Sequence, residues 1–79
     1  MKLTVIVPDN LVIINGVSKI VDVSFLPQDI HAFQWHGQYG VGEIEYKYYF
    51  LTQFKKPNEI VKELGIFQQV VDAYNAKQE

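Results

Sequence analysis

The residues able to do chemistry crowd into one stretch, Ile30 to Phe50, which holds the only Trp and both His of the chain. His31 and His36 stand five apart, with Asp29 before them and Glu43 and Glu45 after, a set from which a histidine and carboxylate metal site can be drawn. Glu43 and Glu45, two apart, fall on one face of a strand, as paired carboxylates for proton transfer or glycoside cleavage do. Gly37, Gly40 and Gly42 give Gly-x-x-Gly-x-Gly, akin to a loop that cradles phosphate. Phe33, Trp35, Tyr46, Tyr48 and Phe50 offer rings on which the bases of a single-stranded nucleic acid can stack.

Strand periodicity decides against most of these readings. Ile30 to Phe50 reads as a hairpin reversing among His36 to Gly42. With Trp35 opposite Ile44, Phe33 faces Tyr46 and His31 faces Tyr48. One face then carries His31, Phe33, Trp35, Ile44, Tyr46, Tyr48 and Phe50; the other carries Ala32, Gln34, His36, Glu43, Glu45, Lys47 and Tyr49. The two His point apart, so they do not converge on a metal. Glu43 and Glu45 are the ordinary polar side of an amphipathic strand. A dinucleotide loop is followed by a helix, whereas Glu43 to Phe50 reads as strand, so the glycines serve a turn that needs positive φ. The aromatic face has an apolar helix to pack against and Lys47 lies on the opposite face, which favours core over a stacking platform. The hydroxyls of Thr4, Ser18, Ser24 and Thr52 lie in no Gly-x-Ser-x-Gly elbow, and Cys is absent. No catalytic, cofactor-binding or metal residue is expected, and the chain reads as non-enzymatic.

The supporting elements follow from pattern. Leu3 to Val7 is a β-branched first strand closed by Pro8, Asp9 and Asn10. Asn15-Gly16 between Leu11 to Ile14 and Val17 to Phe25 is a type I′ hairpin signal, and it sets Ile14 opposite Val17 and Val12 opposite Lys19. One face of that hairpin carries Val12, Ile14, Val17, Val21, Val23 and Phe25 and is the better core candidate. The other, with Leu11, Ile13 and Ile20 among Ser18, Asp22 and Ser24, is half apolar and suits a dimer interface or an edge under another element. Leu26 to Asp29 with Pro27 reads as a corner. Pro57-Asn58 reads as a helix start with Asn58 as N-cap, and the stripe Ile60, Val61, Leu64, Phe67, Val70, Val71 and Tyr74 continues it. Gly65 divides that stripe, giving a main helix from Ile66 to about Lys77.

These elements predict an α+β fold of one domain spanning residues 1–79: an antiparallel sheet of about five strands, made of two hairpins and an N-terminal strand, with one face under a C-terminal helix. At 79 residues the core must be efficient, since a chain this size buries roughly 60% of its unfolded surface. All the basic residues are Lys, and net charge is −2. Without Arg, bidentate phosphate or guanine contacts are lacking, so nucleic acid is not the expected partner. No apolar run reaches the length of a membrane span.

The phrase Asp29-Ile30-His31-Ala32-Phe33-Gln34-Trp35, followed by a glycine loop and Gly42-Glu43-Ile44-Glu45-Tyr46, resembles a family of small phage and prophage proteins encoded near tail-fibre genes, whose motif has the form DIHAxQW then GEIEY. Val21-Asp22-Val23-Ser24, Pro27, Lys56-Pro57-Asn58-Glu59 and Phe67-Gln68-Gln69-Val70-Val71-Asp72-Ala73-Tyr74 fit the same pattern, with Tyr74 where the family has Trp. The resemblance implies a setting, a phage tail or its assembly, and carries over no functional residue. It leads to the expectation of a small tail component or tail-fibre assembly accessory that binds a tail or fibre protein, located in the bacterial cytoplasm or the virion, with self-association open. The alternative is a nucleic-acid or host-protein binding module using the hairpin surface. In either case the expected partner-binding residues are His36, Tyr39, Glu43, Glu45, Lys47 and Tyr49, the polar face and loop of the hairpin, Tyr being enriched at interfaces.

Overall fold

The computed structural model describes residues 1–47 and 56–77. The described residues form one antiparallel sheet of strands β1 (Lys2–Ile6), β2 (Leu11–Ile14), β3 (Val17–Ile20), β4 (Ile30–His36), β5 (Val41–Tyr46) and β6 (Glu59–Val61), followed by helix α1 (Phe67–Ala76). The spatial order β3-β2-β1-β4-β5-β6 places β1 between the two hairpins. This is the α+β architecture that the sequence predicts, with a sixth strand added to the expected five.

The first hairpin has the expected register, Ile14 opposite Val17 and Val12 opposite Lys19. Asn15 and Gly16 have φ of 50° and 85°, the conformation a type I′ turn demands. Two boundaries differ from expectation. β1 ends at Ile6, because Val7–Asp9 winds into a single 3-10 turn with Pro8 inside it. β3 ends at Ile20 and does not reach Phe25. The Asp22 carboxylate accepts the Ser24 N–H at 2.9 Å and so competes with a continuing ladder. That departure carries Val21, Val23 and Leu26 into the core and leaves Phe25 41% exposed, where the strand pattern had placed it inside.

The second hairpin corrects the expected register by two residues: Trp35 faces Gly42, and Phe33 faces Ile44. Faces survive such a shift because the side-chain period is two. The cause is space. A Cβ on residue 42 would lie 2.8 Å from Cε3 of Trp35, 2.9 Å from the Gln34 carbonyl oxygen and 3.0 Å from Cε1 of Phe33. The indole therefore fits over glycine and over no larger residue. An irregularity between Ile30 and Ala32 leaves His31 without a ladder partner and turns Ile30 into the core opposite Tyr46. The pairing of His31 with Tyr48 that the sequence suggested involves a residue outside those described. Of the three loop glycines only Gly40 has positive φ; Gly37 is small because the backbone of Met1 passes beside it.

The expected helix start at Asn58 is replaced by β6, which pairs Ile60 with Glu43 and Val61 with Gly42. Gly65 at φ 56° cuts the apolar stripe, so the part before it is too short to hold a helix and its β-branched pair Ile60 and Val61 extends the sheet. Helix α1 begins at Phe67 with no side-chain cap. Its first N–H groups, on Phe67, Gln68 and Gln69, bond instead to the carbonyls of Leu64, Gly65 and Ile66 in a tightened 3-10 turn.

Helix α1 covers the face that carries Leu3, Val5, Val12, Phe33, Trp35 and Ile44. The rings of Phe33 and Phe67 stack with centroids 3.7 Å apart and planes 3° apart. At the far end, the Tyr74 hydroxyl donates to the Val17 carbonyl at 2.7 Å. The Lys19 ammonium donates to the Tyr74 and Lys77 carbonyls at 3.2 and 2.9 Å and lies 4.3 Å from the Tyr74 ring. A cation at these last carbonyls complements the helix dipole, and the contacts tie edge strand β3 to the helix. The Gly42→Ala substitution should destabilise the fold by about 1–3 kcal/mol through overpacking, read by chemical denaturation, with a shift in Trp35 emission in the native state.

Candidate functional site

The ladder registers organise the second face of the sheet, opposite the helix, into rows. One runs Ser18, Ile13, Thr4, Gln34, Glu43, Ile60; the next runs Ile20, Leu11, Ile6, Ala32, Glu45. Of the buried hydrophobic strand residues, only Ala32 belongs to this face. Ile6, Leu11 and Ile13 are half-buried, while Ile20 and Ile60 are 55% and 62% exposed. An apolar row thus crosses four strands, bordered by Ser18, Thr4, Gln34 and Glu43. The first hairpin alone indicated its Leu11, Ile13 and Ile20 portion. Its extension through Ile6 to Ala32 had no local signal, because it arises from β1 pairing with both β2 and β4.

A third row on the same face holds Lys2, His36 and Val41. At that end of the sheet a cleft of about 240 Å³ opens, lined by Met1, Lys2, Asn15, His36, Gly37, Gln38 and Tyr39. It is firmly built. The Gly37 N–H donates to the Met1 carbonyl at 2.8 Å, the Asn15 N–H to the Lys2 carbonyl at 2.9 Å, and the Lys2 N–H to the Asn15 side-chain oxygen at 2.9 Å. The tips of both hairpins are thereby joined through the start of β1.

The expected partner-binding residues divide between these features. His36, half-buried, and Tyr39, 73% exposed, meet in the cleft. Glu43, exposed, and Glu45, half-buried, share the second face but lie on successive rows. Lys47 follows β5, its N–H donating to the Asp29 carbonyl at 2.8 Å. Tyr49 lies outside the described residues. Among the described residues no group of three or more His, Asp or Glu is placed to hold a metal ion, and no helix is long and apolar enough to cross a membrane.

The opposite end carries a polar cluster that the sequence did not single out. The Lys56 ammonium donates to the Asp29 carboxylate at 2.8 Å and lies 4.8 Å from the Tyr46 ring; the Tyr46 hydroxyl donates to the Glu59 carboxylate at 2.6 Å. These contacts fasten β6 and the chain before it to the irregular end of β4. The bond from Lys56 lowers the Asp29 pKa. The bond to Glu59, with desolvation behind it, pushes the Tyr46 phenol up to about 12. Every group here is already matched to a neighbour, which fits a fastening better than a reactive centre.

Comparison with known proteins adds no relative: no family model, no curated protein and no solved structure matches the chain. The polar cluster gives a direct test. Tyr46 should ionise near pH 12, against the ordinary 10. Because the protonated phenol is the stabilised form, its contribution to folding is complete below pH 10 and is lost as pH rises through about 12. A phenolate absorbance titration should show this late step, and Glu59→Gln should return it toward 10. At the acid end, the lowered Asp29 pKa contributes stability present above its ordinary value of 3.8 and lost as pH falls. Asp29→Asn should remove that part of the acid dependence.

Proposed function

We propose that the chain is a non-enzymatic binding protein of phage or prophage origin, a small tail component or tail-fibre assembly accessory, acting through protein–protein contacts on the second face of its sheet. The observation that carries the binding role is the one-sided burial. The helix covers one face only, while the other presents the apolar row Ile20, Leu11 and Ile6, ending at the buried Ala32, beside a polar border. A sheet face of this composition is matched to a partner's apolar surface, with the flanking polar groups setting orientation. The phage setting rests on the resemblance of the stretch from Asp29 to Tyr46. In the fold, Phe33, Trp35, Gly42 and Ile44 of that stretch form the register and core of the second hairpin, the kind of role a phrase common to a family would have. On this reading the protein works in the bacterial cytoplasm during assembly or within the virion.

The partner expected is a tail-fibre or baseplate protein encoded beside this one. Co-expression followed by light scattering on the purified species should give a defined complex. Ile20→Lys, on an exposed side chain of the apolar row, should leave folding stability within about 0.5 kcal/mol. The same substitution should weaken the complex more than about tenfold, or about 1.4 kcal/mol. Failure of any neighbouring tail protein to bind, or binding unaffected by Ile20→Lys, contradicts the proposal. Tight binding of single-stranded or duplex nucleic acid at low salt that weakens as salt rises would favour the nucleic-acid alternative instead.

A further inference from the structure

We infer that the cleft between the two hairpin tips is an oxyanion site, built to take a single carboxylate or phosphate group. Its lining runs against the character of the chain. The protein carries nine acidic and seven basic residues, yet no carboxylate lines this cleft, while Lys2 and His36 both do. Lys2 and His36 are register partners on the same sheet face, which brings the ammonium and the imidazole to one side of the opening. The nearest carboxylate in the register, Glu43, stands on the next row, beyond Val41, and does not line the cleft.

The remaining lining adds donors. In the loop, the N–H groups of Gly37, Tyr39 and Gly40 bond to the carbonyls of Met1, His36 and Gly37, whereas that of Gln38 has no backbone acceptor among the described residues. The Asn15 side-chain oxygen is occupied by the Lys2 N–H, so the group this amide turns outward is its NH2. The Tyr39 hydroxyl supplies a further donor at the rim. Lys2, His36, Gln38 and Tyr39 form no side-chain ion pair or hydrogen bond among the described residues. Cation and donors thus line one cleft with no carboxylate among them.

Size restricts the ligand. Pockets that enclose whole cofactors or drug-sized molecules measure about 300–1,000 Å³, and this one is near 240 Å³. A single charged group fits within it, and a larger ligand would project from its open side. With Lys2 as the only permanently charged side chain in its lining, the site binds by point charge and hydrogen bonding, not by a planar guanidinium fork, so planar carboxylate and tetrahedral phosphate are both admitted.

Amide and imidazole NMR shifts during titration with sodium acetate, and separately with inorganic phosphate, test this at constant ionic strength maintained with chloride. Saturable shifts confined to Lys2, Asn15 and the loop 36–40 are expected, with a half-saturation at least tenfold higher in Lys2→Glu, a substitution at an exposed position. Saturation by acetate identifies a carboxylate site; saturation by phosphate alone identifies a phosphate site; either supports the assignment. Absence of saturation by both anions, shifts spread over the other lysines, or an unchanged response in Lys2→Glu overturns it. The titration requires no partner protein, so its outcome is separate from that of the tail-protein experiment.

Discussion

The contact of the Trp35 indole with the bare backbone of Gly42 is the constraint on which the fold depends. A strand pair with clean apolar and polar faces tolerates a shift by two residues without exposing its core, so alternation alone leaves several registers open. The indole closes that choice by needing a partner with no Cβ. Once Trp35 faces Gly42, Phe33 must face Ile44, and Phe33 is then in place to stack on Phe67 of the helix. On its other edge β5 pairs with β6, which sets Val61 beside Gly42. Hairpin register and helix docking thus follow from one aromatic–glycine pair.

The two ends of the sheet are then secured differently. Near β3, the helix C-terminus, the Tyr74 hydroxyl and the Lys19 ammonium join edge to helix through carbonyl contacts. Near β6, Asp29, Lys56, Tyr46 and Glu59 link side chain to side chain. Both sets of contacts serve the covered face and its margins. The uncovered face retains an apolar row and, at its end, a cleft lined by Lys2 and His36 and by no carboxylate. The half-buried Ile6, Leu11 and Ile13 and the exposed Ile20 on that face are the physical basis for proposing it as the binding surface.

Much of this was legible in the residues. Asn15-Gly16 specified its turn and register without help from the rest of the chain, and the stripe from Phe67 to Tyr74 specified a helix and its buried side. Asn58 as an N-cap and Trp35 opposite Ile44 were each the best local reading, and each yielded to a contact across the sheet, the free edge of β5 and the space over Gly42. Phe25 as a core residue yielded to a local contact that periodicity does not register, the Asp22 carboxylate bond to the Ser24 N–H. The candidate site was half visible. His36 and Tyr39 stood out by type, but Lys2 and Asn15 complete the cleft only because β1 runs between the hairpins, and no local pattern encodes that order.

The most direct test of this account is the proton NMR spectrum of the second hairpin. With Trp35 lying against Gly42, the Gly42 Hα resonances should move strongly upfield under the indole ring current. They should show nuclear Overhauser contacts to the Hε3 proton of Trp35, while Ile44 shows cross-strand contacts to Phe33. Gly42 Hα resonances at ordinary shifts, together with direct cross-strand contacts pairing Trp35 with Ile44, would contradict it.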